Sequence, residues 1–117
     1  MSKHLMCVMT SPVPGREEEF QRWYDEQHVP DLLRVPGVTS GQRFCLSGYQ
    51  HKEPPFPQSY FAIYEIETND LEGVSKEILR RVNTPDMPIS EALAPGFVRF
   101  LLDPVTPKRF SAGVEAK

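Results

Sequence analysis

Two short runs near opposite ends of the chain, His4–Thr10 (HLMCVMT) and Phe97–Leu102 (FVRFLL), are apolar on both faces of an extended backbone. Side chains alternate along a strand, so Leu5, Cys7 and Met9 point one way and Met6 and Val8 the other. Phe97 and Leu101 oppose Val98, Phe100 and Leu102 in the same manner. Strands of this kind need cover on both sides of their sheet.

The remaining elements supply one cover. Pro12, Pro14 and Gly15 turn the chain, and Glu17, Glu18 and Glu19 follow where the positive end of a helix dipole favours carboxylates. A helix is predicted from about Arg16 to His28, with Phe20, Trp23, Tyr24 and Gln27 at helical spacing. Val29 precedes Pro30, which disfavours the α conformation, so this helix is expected to stop near His28. Pro30 then opens a new short helix carrying Asp31, Leu32 and Leu33. Val38–Ser47 reads as a strand with Val38, Gln42, Phe44 and Leu46 on one face and Thr39, Arg43 and Cys45 on the other. Three prolines mark Gly48–Gln58 as a loop, and Ser59–Thr68 is a β-branched and aromatic strand. A second helix follows, capped by Asn69 with Glu72 at capping-box spacing, and its stripe is Leu71, Val74, Ile78 and Val82. Pro88–Leu93 adds a further helical turn before the last strand.

The order is β-α-β-β-α-β, the ferredoxin-like arrangement of a four-stranded antiparallel sheet with two helices on one face. Two helices leave the other face of the sheet open. An apolar face of that size marks an interface, and a sheet-to-sheet homodimer is its simplest cover. Residues 1–103 form the expected domain and 104–117 a polar C-terminal tail.

Composition narrows the function classes. At 117 residues the chain buries roughly two-thirds of its unfolded surface, enough for one core. The net charge is −3 and the longest basic cluster is Arg80-Arg81, so nucleic acid is not an expected partner. No apolar run reaches the ~20 residues of a membrane span. The N-terminus has no charged-then-apolar signal pattern, and the cytoplasm is the expected location. Cys7 and Cys45 fall in strands and are read as free thiols.

The run W-Y-x-x-x-H-x-P-D-L-L-x-x-P-G-V-x-x-x-x-R-F, Trp23 to Phe44, resembles the dimeric α/β-barrel superfamily, and within it the EthD-like proteins and their relatives. The resemblance implies a ferredoxin-like monomer, a dimer whose two sheets form a barrel, and a pocket between sheet and helices. Members include cofactor-free monooxygenases, muconolactone isomerases, chlorite-dismutase-like haem proteins and polyketide cyclases, so the fold does not fix an activity.

His28 is the leading candidate residue. It serves either as a general acid/base, its protonated form favoured by the helix C-terminus, or as a cap on the last carbonyls or a partner of Asp31. Tyr24, four residues earlier, meets it on one helical side. Trp23 lines a pocket for a flat ligand or packs in the core. Arg43 binds a substrate carboxylate or enolate oxygen, or pairs with Glu65. Tyr60 and Tyr64 share a strand face as ligand contacts or core. The loop Tyr49–Gln58 is expected to cover the pocket mouth and bring His51 to the ligand. No tight spacing supports a metal site from His28, Asp31 and His51, and no phosphate loop, nucleophile elbow or CxxC is present. The expected protein is a homodimeric isomerase, cyclase or lyase that uses no cofactor and acts on a small hydrophobic or aromatic catabolite. His28 and Tyr24 are its catalytic pair. Trp23, Arg43, Tyr60, Tyr64 and His51 are its substrate-binding residues. The alternative is a ligand-binding or accessory dimer of the same fold.

Overall fold

The computed structural model describes residues 1–113. Its elements are β1 (Ser2–Thr10), α1 (Glu17–Trp23), a π-turn (Tyr24–His28), α2 (Val29–Leu33), β2 (Val38–Cys45), β3 (Tyr60–Thr68), α3 (Leu71–Arg81) and β4 (Val98–Leu102). The strands form one antiparallel sheet in the order β2-β3-β1-β4. The fold is ferredoxin-like, as the element order predicts.

The core lies between one sheet face and the helices. Met6, Val8, Ala62, Tyr64 and Ile66 project from the sheet onto Phe20, Tyr24, Leu32, Val74 and Ile78. Gly37, at φ +99°, turns the chain where a Cβ would sit 2.9 Å from Val74.

The chain departs from the sequence expectation at four places. First, the helix does not stop at His28. Val29 stays helical (φ −62°, ψ −48°), and its N–H bonds to the Tyr24 carbonyl five residues back. In a regular α-helix Pro30 would press on the carbonyl four residues earlier. The wider π-turn just before it accommodates the ring, so α1, the π-turn and α2 run on continuously. Second, a bulge between Val38 and Ser40 shifts the register of β2. Val38 pairs with Ile66 and Arg43 with Ala62, so both face the helices, whereas Phe44 pairs with Phe61 on the outer face. Third, α3 is capped by Asp70, whose carboxylate accepts the Gly73 N–H at 2.9 Å, rather than by Asn69. Fourth, Pro88–Leu93 is not helical. It is pinned by a bridge between Pro12 and Leu93 and by the Val13 N–H to Ala92 carbonyl bond (2.7 Å), and it plugs the core with Ala92, as Met87 does just before it.

On the outer face, Leu5, Phe44, Phe100 and Leu102 are 37, 45, 46 and 44 % exposed, and Phe61 and Ile63 stand between them. The chain thus leaves the apolar face that its two-faced strands require to be covered. Beyond β4, Asp103 accepts a hydrogen bond from His4 Nδ1 at 2.6 Å, and Pro104, Thr106 and Lys108 wall a groove against Lys3, Leu5 and Glu65. The remainder of the expected tail, residues 114–117, lies outside the described residues. Cys7 and Cys45 are free. Among the described residues no helix is long and apolar enough to cross a membrane.

Candidate functional site

A cavity of about 520 Å³ opens between the helix-facing side of the sheet and the helices. Its floor is Met6, Val8 and Thr10 of β1 with Arg99 of β4. Trp23, Tyr24, His28 and Leu32 form one wall, and Ile78, Leu79 and Val82 form another. The segment from Asn83 to Phe97 borders the rest. Trp23 Nε1 donates to the Pro88 carbonyl at 3.0 Å and ties that segment to the first helix.

The π-turn shapes the working wall. A turn closed by a bond to the fifth residue back brings side chains five apart toward one face. Trp23 and His28 accordingly stack, with ring centroids 4.6 Å apart at 27°. Tyr24 meets His28 edge-on at 5.1 Å and 88°. The imidazole is thus clamped between two aromatic rings.

His28 is neither a cap nor a partner of Asp31. Asp31 is fully buried and taken by Gln27, at 2.7 Å, and by Arg34. The Nδ1 atom of His28 is buried with no hydrogen-bond partner among the described residues, an uncommon state for a buried polar atom that calls for an explanation. Burial pushes the imidazole pKa down to about 4; Asp31 acts against this shift and Arg99 adds to it. His28 is therefore neutral at pH 7. The expected stabilisation of imidazolium by a helix end is absent because the helix continues past it.

Burial also raises the Tyr24 pKa, to about 12, against the opposing pull of Arg43. Tyr24 presents a neutral phenol. Tyr64 is fully buried beneath Gly41, where a Cβ would lie 2.9 Å from its ring, and its hydroxyl lies beside the Tyr24 phenol with no well-formed hydrogen bond among the described residues.

The other candidates lie apart from the cavity. Arg43 does not pair with Glu65, whose carboxylate accepts from Ser40 instead. Its guanidinium donates to Asp25 and Gln21, both at 2.7 Å, and sits 4.5 Å over the Tyr24 ring. It fastens α1 and the π-turn to β2. Tyr60 packs on Phe20 at 5.4 Å. His51 stands in the exposed loop against Tyr49, and that loop does not line the cavity; the Asn83–Phe97 segment occupies the place expected for it. Among the described residues no cluster of His, Cys, Asp and Glu could hold a metal ion.

Sequence reasoning missed Arg99. Paired with Val8, it turns toward the helices and into the cavity wall. Its signal was present as the single charge inside FVRFLL.

A stability consequence follows from the buried His28. Its folded pKa, about 4, lies below the ordinary 6.5, so the unfolded chain takes up the proton first as pH falls. The stabilisation is complete above pH 6.5 and is lost between there and pH 4. At pH 4.5 this amounts to about 2–3 kcal/mol. His28→Phe should remove that part of the acid sensitivity. Urea melts at pH 7 and pH 4.5 check it, and equal acid losses in the two proteins would contradict it.

The architecture is a ferredoxin-like sheet with a cavity under its helices. No protein-family model and no curated protein matches the sequence. Among solved structures, the chain is similar to the heme-degrader MhuD from Mycobacterium tuberculosis, described with two hemes bound in its active site (TM-score 0.60, 10% identity, covering 91% of this chain and 99% of that one). It is similar to a dimeric ferredoxin-like protein of unknown function from Thermobifida fusca YX (TM-score 0.53, 10% identity, 86% and 90% covered). A third similar structure is an EthD family protein from Bacillus halodurans C-125 (TM-score 0.45, 13% identity, 86% and 97% covered). At these identities the likeness is one of fold.

Proposed function

We propose that the protein is a homodimeric enzyme that moves a proton on a small hydrophobic or aromatic catabolite held in this cavity, in an isomerisation, cyclisation or elimination that needs no cofactor. The observation that carries this reading is the neutral, aromatic-clamped His28 in the wall of an apolar cavity. A neutral imidazole accepts a proton without first losing one. Tyr24 supplies a neutral phenol beside it, able to donate to a developing oxyanion. Trp23 and the floor residues Met6 and Val8 give the flat apolar contacts such a ligand takes. The Thermobifida protein, described as dimeric, and the open apolar sheet face support the homodimer. The ligand-bound state of MhuD supports a small-molecule role for the fold.

NMR titration of the His28 imidazole tests the reading. The imidazole should titrate near pH 4 in the free protein, and its shifts should move when 4-isopropylbenzamide fills the cavity. An imidazole that titrates near 6.5 and ignores the amide would remove His28 from the mechanism. Ligand-induced shifts at His28 without C–H exchange in any activated ligand would favour the alternative, a ligand-binding or accessory dimer.

A further inference from the structure

Arg99 is a half-buried cation without a partner among the described residues. Arg16, Arg34, Arg43, Arg80 and Arg81 each hold a carboxylate, and Arg22 and Arg109 are exposed. Arg99 makes no ion pair and no side-chain hydrogen bond among the described residues. It nevertheless stands on β4 beside Val8 of β1, in the wall of a cavity that Met6, Leu32 and Ile78 also line. The one carboxylate on the cavity wall, Glu91, is 90 % exposed and 3.9 Å from Arg16.

Placing a guanidinium in apolar surroundings without a counter-charge is costly. Five fixed donors in a planar fork match the two oxygens of a carboxylate. His28, the neutral group on the facing wall, is close enough to feel the guanidinium charge.

Resting on the proposed use of this cavity, we infer that Arg99 selects the substrate class: a small apolar or aromatic acid, whose carboxylate or enolate oxygens pair with the guanidinium while its hydrocarbon body lies against Trp23, Leu79 and Phe97. Arg99 is then the specificity-determining residue, and His28 stands beside the anion rather than holding it.

Trp23 is the single tryptophan of the chain and stacks on His28 in the cavity wall, so its fluorescence reports occupancy. The intact protein at pH 7 is titrated with 4-isopropylbenzoate and with its neutral isostere 4-isopropylbenzamide. The benzoate should bind at least tenfold tighter, as expected when a charged hydrogen-bonded pair replaces a neutral one. Arg99→Gln should lower benzoate affinity tenfold or more and leave amide affinity within about twofold, while Arg99→Lys should retain part of the preference. The Lys variant and the wild-type comparison both stand if the Gln variant is unstable. Equal binding of acid and amide to the wild type, or an acid preference unchanged in both variants, overturns the assignment to Arg99 and leaves the cavity's proposed use intact. Quenching by neither probe overturns both.

Discussion

Replacing His28 by glutamine is expected to lower turnover by roughly 10²–10⁴, the usual contribution of a positioned general acid or base. Phenylpyruvate is a suitable substrate of the proposed class. It is an aromatic acid, and its benzylic protons exchange with D2O on enolisation, which NMR follows directly. The variant should fold well at neutral pH, because His28 accepts no hydrogen bond at Nδ1 that its loss would orphan. Tyr24→Phe should weaken exchange by less, since it removes one donor and keeps the ring that packs on His28. The pH profile carries its own signature. A free-enzyme base of pKa about 4 places the acid limb of kcat/KM near pH 4 rather than near 6.5, with a flat profile above it. An anion bound at Arg99 lies beside His28 and favours its protonated form, so kcat should show a limb at higher pH than kcat/KM. Exchange that survives in His28→Gln would overturn the proton-transfer role.

The fold was legible where local rules and tertiary demands agree. The alternation of HLMCVMT and SYFAIYEIET set the strands to within two residues, and the stripe of Val74 and Ile78 set α3. The cavity wall was legible in part, because Trp23, Tyr24 and His28 lie close in sequence. What failed did so for physical reasons. The pre-proline rule is a dipeptide preference, and at Val29 it lost to a helix that Arg43 grips from outside through Gln21 and Asp25 and that Gln27 ties along its own length to Asp31. One extra residue at the β2 bulge reversed the parity of Phe44 relative to Val38, and a period-two pattern carries no mark of such an insertion. The Asn83–Phe97 segment is ordered by long-range bonds to Ser11 and Val13, not by any periodicity of its own. Arg99 illustrates a different difficulty. A lone charge in an apolar strand reads equally as an edge residue facing water, and only the pairing with Val8 decides which way it turns.

Phe100→Asp should dissociate the proposed dimer. In the single chain Phe100 is 46 % exposed, so an aspartate there would meet water and cost the monomer little. In a sheet-to-sheet pair the same position lies among Leu5, Phe61, Ile63 and their counterparts, where a desolvated charge without a partner costs several kcal/mol. A two-fold axis imposes the change twice on one interface. Sedimentation at micromolar protein should therefore give twice the chain mass for the wild type and the chain mass, or unfolded protein, for Phe100→Asp. Val105→Asp is the control: Val105 lies in the tail and is 97 % exposed, so its replacement should leave the assembly unchanged. A wild type that sediments as a well-folded monomer would sink the dimer. The proposed assembly also bears on the cavity. Arg99 and Phe100 are neighbours on β4 that point to opposite faces, so the interface fixes the strand from one side while Arg99 faces the ligand from the other. A monomeric Phe100→Asp variant that still folds should then bind 4-isopropylbenzoate more weakly than the wild type, through loss of the support that holds β4 in place.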